Sequence, residues 1–193
     1  AEGLEPEFGW PYSRILRAAK AQSNGNALEP ETVAKLIVTE YVNHYSDYDL
    51  SAGRSADLAA IRLSVMGPLQ ESFGHLIDVL GQVPDSHDRL LLAHWKAQTY
   101  KADQYVDMYD LCEQLSTQGS AEIAEASGEI MRCLREDTVI LSGCSGFAYQ
   151  HSHGMSFYFP WSFLWPEYRN MRFATDTDWL TFLGRHLEAT RRE

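Results

Sequence analysis

Three short strand-like runs stand far apart in this chain: DLAAIRLS at 57–64, VILSG at 139–143 and MSFYFP at 155–160. Helical patterns fill most of the distance between the first and the second. In the first run Ala59, Ile61 and Leu63 alternate with Leu58, Ala60, Arg62 and Ser64, the period of an extended strand. So few and so distant strands leave sheet edges that demand cover. The expectation is a helix-rich α/β unit whose few strands need sheet partners from elsewhere.

The helices follow from apolar spacing. Gly9 and Pro11 punctuate a turn, Ile15, Leu16 and Ala19 then repeat at helical intervals, and SNGN at 23–26 ends the pattern. Pro30 marks the start of a second helix, with Val33, Leu36, Ile37, Tyr41 and Tyr45 on the face turned to the core. Leu69, Phe73, Leu76, Ile77 and Leu80 define a third. Further helices are expected at about 86–101, 105–116 and 120–135. A last one follows Asp176 or Thr177 as cap, with Trp179, Phe182, Leu183 and His186 or Leu187 inward.

Charge and composition exclude several classes of partner. Sixteen basic against 27 acidic residues give a net charge of -11, which opposes binding to nucleic acid or anionic membranes. No run approaches the roughly 20 apolar residues of a bilayer span, so a soluble chain without membrane attachment is expected. The three cysteines, Cys112, Cys133 and Cys144, show no CxxC spacing, and reduced, mostly buried thiols are the expectation. No zinc site, nucleotide loop or other cofactor motif is present.

Cys144 in VILSGCSG and His153 in HSHG raise the question of a nucleophile and its base. The order opposes it, because caspase-like peptidases carry the histidine first. His151 and His153 at i, i+2 would share a strand face, but two histidines without a third ligand make a weak metal site. Asp107 and Asp110 lie one helical turn apart and read as an ordinary solvated or hydrogen-bonded face. The aromatic run from Phe147 to Tyr168 reads as core.

Five blocks in order carry a resemblance. HGMSFYFP is similar to HGLSIYFP, EPEFGWPYSRIL to PGxGWPYxxIL, and LAAIRLSVMGPLQESF to LSAIDLSKMxxLxxxL of the clostripain-like cysteine peptidases, a bacterial and archaeal family of the caspase-like clan. AHWKAQTYKADQYVDMYDLCEQL resembles that family's ARxxAQSYGxxxYVDLYDFAxxL. EYRNMRFATDTDWLTFLGRHL resembles its closing segment, with Tyr168, Phe173, Trp179 and Leu183 at the expected places. The resemblance implies a caspase-like αβα sandwich, of which residues 1–193 are the C-terminal part of a single peptidase domain. The family's catalytic dyad, a His-Gly histidine and a DAC-like cysteine, precedes the GWPY block. No catalytic residue is therefore expected in this chain, and its expected partners are an N-terminal chain or segment bearing the dyad and a protein or peptide substrate.

On that basis Glu2, Glu5, Phe8 and Trp10 are the candidate substrate-binding residues. Phe8 stands where Arg- or Lys-selective relatives place an acid, so selectivity for a basic side chain would require one of Glu2, Glu5 and Glu7, or an aspartate upstream, to pair with it. Arg62 replaces the aspartate of SAIDLS, and AHW at 93–95 replaces an arginine-containing segment. Calcium enters by family resemblance alone, since no EF-hand pattern is present. The alternative reading is a noncatalytic peptidase-like module that binds a protein partner.

Overall fold

The computed structural model describes residues 9–191. Along them run α1 (Tyr12–Ser23), α2 (Pro30–Tyr45), the short α3 (Tyr48–Ser51), β1 (Ala56–Ile61), α4 (Met66–Gln82), α5 (Ser86–Lys96), β2 (Tyr105–Asp107) and α6 (Met108–Gln118). They are followed by α7 (Ala121–Arg132), β3 (Val139–Ser145), β4 (Ser156–Tyr158), the short α8 (Arg172–Asp176) and α9 (Trp179–Ala189). The architecture is helix-rich α/β with two small antiparallel ladders, β1 with β3 and β2 with β4. None of the described helices is long and apolar enough to cross a membrane.

α2 begins as expected, with Pro30 at a position whose backbone needs no N–H and Glu31 favourably placed in the positive first turn. It packs on both β1 and β3. Tyr41, Tyr45 and Ala56 form a small core there, joined by Trp10, Val42 and Leu58. α1 is different. None of its residues is buried and Leu16 is 68% exposed, so its apolar repeat does not mark a core face. Arg14 Nε, 2.5 Å from Glu40 Oε2, ties it to α2.

The larger core gathers Leu69 and Phe73 of α4, Leu90 of α5, Leu111 of α6, Ile130 of α7, Phe157 and Phe159 at β4, and Trp179 of α9. α6 and α7 meet across Gly119, where a Cβ would lie 2.6 Å from Ile123 Cγ2 and 2.8 Å from the Leu115 carbonyl oxygen. A side chain there would push the two helices apart. Ser120 then caps α7 by accepting the Ile123 N–H at 3.5 Å.

Several expected boundaries move, each for a visible reason. The helix expected at 105–116 gives up residues 105–107 to β2, because the Asp107 carboxylate accepts the Asp110 N–H at 2.9 Å and starts α6 after it. The helix expected to reach 101 ends at Lys96, where Asp110 Oδ2 captures the Gln98 N–H at 2.6 Å. α7 stops at Arg132 and continues as a π-helical turn, Cys133–Thr138. Arg62 fastens that turn: its N–H reaches the Thr138 carbonyl and its guanidinium reaches the Asp137 carbonyl, both at 2.8 Å, and it pairs with Glu31 at 2.7 Å. β1 accordingly closes at Ile61 rather than Ser64. At the C-terminus Thr177 Oγ1 accepts the Trp179 N–H at 3.3 Å, while Asp176 pairs with Arg172. His186 is buried in the inner stripe, with Leu187 only partly covered.

Candidate functional site

Asp107 is the hub of the polar interior. The N-cap of α6 holds it with no solvent exposure. Besides the Asp110 N–H, its carboxylate accepts the Tyr100 hydroxyl at 3.0 Å and the His153 backbone N–H at 2.8 Å. Its second oxygen lies 3.4 Å from His153 Nδ1, an ion-pair separation without the alignment of a hydrogen bond. The Asp107 carboxylate raises the His153 pKa above its ordinary value, against the opposing effect of partial burial. The ring also stacks on Tyr109 with centroids 4.3 Å apart.

Behind His153 the network continues to a second carboxylate. Tyr100 Oη lies 2.9 Å from Ser152 Oγ, and Ser152 Oγ lies 3.1 Å from Asp57 Oδ2. Asp57, Ser152, Tyr100 and Asp107 thus make three contacts in a row, for which two hydroxyls supply two protons. Ser152 donates to Asp57 and Tyr100 donates to Asp107, which sets the two hydroxyl oxygens side by side between the carboxylates. Burial raises the Asp57 pKa, against the opposing hydrogen bond from Ser152, and the charge of Asp107 adds to the rise.

His153 is brought here by its neighbour. Gly154 has φ +98°, and a Cβ on it would stand 2.7 Å from Ala59 Cβ and 3.0 Å from Ser142 Cβ. The backbone of the His-Gly pair therefore lies against one face of the β1–β3 ladder. Beside it opens a cleft of about 290 Å³, lined by Tyr109, Leu134, Arg135, Val139, Leu141, Ser142 and His153.

Cys144 stands opposite Asp57 in the ladder. Burial raises the thiol pKa, and the Asp57 carboxylate adds to the rise, the reverse of an activated nucleophile. His153 is engaged with Asp107 instead, so the two do not form a dyad. His151 and His153 lie in the turns before β4 rather than on a shared strand face, and the His151 N–H is taken by Gln98 Oε1 at 3.2 Å. Among the described residues no group of three His, Cys, Asp or Glu side chains is arranged to hold a metal.

Of the four candidate substrate-binding residues, Glu2, Glu5 and Phe8 lie outside the described residues. Trp10 packs on Tyr41, ring centroids 5.2 Å apart, as part of the small core. Of the two alternatives for Asp107 and Asp110, the hydrogen-bonded one holds: both are buried acceptors. The convergence of Asp57, Tyr100, Ser152 and Asp107 escaped the sequence reading; an aspartate just ahead of an apolar-periodic run was the available sign of a cap at 107.

The helix-rich α/β fold belongs to a cysteine peptidase family. The sequence model of the clostripain family matches residues 1–181, nearly the whole chain, and the chain belongs to that family. No curated protein and no solved structure matches it.

Proposed function

We propose that this chain is the C-terminal part of a caspase-like cysteine endopeptidase domain, working with a His/Cys dyad on a preceding segment. The family match across residues 1–181, in a chain whose partly exposed cysteine has a raised pKa, carries the reading. The two-stranded ladders support it as well, since each offers edges on which strands of a preceding segment would pair. In this reading the upstream histidine serves as base and the upstream thiolate attacks the peptide carbonyl. Backbone amides hold the oxyanion, and water releases the acyl enzyme.

Glu2, Glu5 and Phe8 would border the substrate, with Trp10 anchoring that rim to the Tyr41 cluster. Intact-mass analysis and N-terminal sequencing of the native protein under denaturing conditions test the proposal. A companion polypeptide or a longer chain bearing a His-Gly strand and a DAC-like cysteine is expected, together with labelling of that cysteine by thiol-directed peptide probes. A native protein in which either dyad residue is missing would overturn the peptidase reading in favour of a noncatalytic binding module. Labelling of Cys144 would overturn the assignment of the dyad to a preceding segment.

A further inference from the structure

The cleft beside His153 has a one-sided chemistry. Its polar lining consists of Tyr109, Arg135, Ser142 and His153, each able to donate a hydrogen bond, and none of its lining residues is a carboxylate. Its other walls, Leu134, Val139 and Leu141, are apolar. In a chain of net charge -11 this is a local exception that calls for an acceptor.

We propose that this cleft binds the carboxylate of an acidic peptide, with Arg135 and His153 as donors and the apolar walls against the adjoining methylenes. Tyr109 stacks on His153 and lines the cleft together with Arg135. Arg135 has a competing partner in Glu136 at 3.3 Å, but their side chains are 61% and 52% exposed. Such a pair is weak, and an incoming carboxylate replaces it readily. His153 keeps its Nδ1 toward Asp107, which leaves Nε2 as the ring nitrogen for a ligand. The Arg135 guanidinium binds a carboxylate through charge-assisted bonds, and the His153 ring, when protonated, adds a second such donor at Nε2. The proposal rests on the peptidase reading only in taking the ligand to be a polypeptide.

The test is a titration followed by side-chain NMR of His153 and Arg135, using the full chain and acetyl-Ala-Ala-Glu-Ala-Ala-amide. The Gln counterpart of that peptide is the neutral control, and the Gln peptide with a free C-terminal carboxylate is the third arm. At least one of the two acids is expected to shift both side chains and to bind about tenfold or more tightly than the neutral peptide. Which acid does so separates an acidic side chain from a chain terminus. Arg135→Leu, at an exposed position, and His153→Gln are each expected to weaken that binding about tenfold, with the fold checked by circular dichroism. Equal binding of all three peptides, no shift with either acid at millimolar peptide, or binding that survives both substitutions would overturn the proposal. None of these readings requires peptide hydrolysis, so they stand apart from the outcome for the dyad.

Discussion

Asp57 shows how much a single proton can decide. With a folded-state pKa above its unfolded value, it keeps, between those two values, a proton in the folded chain that the unfolded chain has lost. Stability attributable to it is therefore fullest at low pH and falls as pH rises from the unfolded pKa through the folded one. Asp57→Asn removes the buried charge and keeps an oxygen to accept the Ser152 hydroxyl. It is expected to be at least as stable as the parent at pH 7 and to lack this decline, whereas Asp57→Ala is expected to be less stable; urea denaturation from pH 4 to 8 compares the three. Gly154 carries a separate constraint. Gly154→Ala is expected to lose about 2–4 kcal/mol in the same assay, combining left-handed backbone strain with contacts against Ala59 and Ser142.

At the scale of elements, the corner between α6 and α7 rests on the missing side chain of Gly119. Gly119→Ala is expected to destabilise by about 1–3 kcal/mol through overpacking against Ile123 and Leu115, read as a lower urea midpoint at unchanged slope. Legibility also divides by element. α2, α4 and α9 were readable because each carries a long apolar stripe, with Pro30 and Thr177 marking the starts of α2 and α9. β2 was not, since three residues hold too little periodicity to outweigh the helix pattern that follows. Only pairing with Ser156–Tyr158 makes them a strand. α1 shows the opposite failure, a clear apolar repeat that finds no buried face among the described residues.

Across the molecule, two buried histidines set the response to acid. His94 is 1% exposed and stacked between Phe159 and Trp161, with centroids 3.9 Å and 3.8 Å away. Burial lowers its pKa to about 3, with His186 contributing. His186, 3.2 Å from His87 between their Nδ1 atoms, is lowered to about 4 by burial and by His87, against a smaller opposing effect of Asp88. Both are neutral in the folded chain near pH 5, where the unfolded chain has begun to protonate them. Stability is therefore expected to fall as pH drops below about 6.5, by up to about 2 kcal/mol per histidine at pH 5. His94→Leu is expected to remove roughly half of that slope, measured by urea midpoints between pH 7 and 5. An unchanged slope would mean that His94 does not titrate on unfolding.

The family, the helix-rich composition and most helix faces were determined by the sequence itself, because ordered motifs and 3.6-residue periodicity are local properties that survive without a fold. The site was decided by tertiary structure. Asp57 and Ser152 meet across 95 residues and Tyr100 and Ser152 across 52, distances over which no sequence period operates. Burial then turned Asp107 from a helix-face carboxylate into the acceptor that orients His153, and only desolvation with exact neighbours in space sets the charge each of these groups carries.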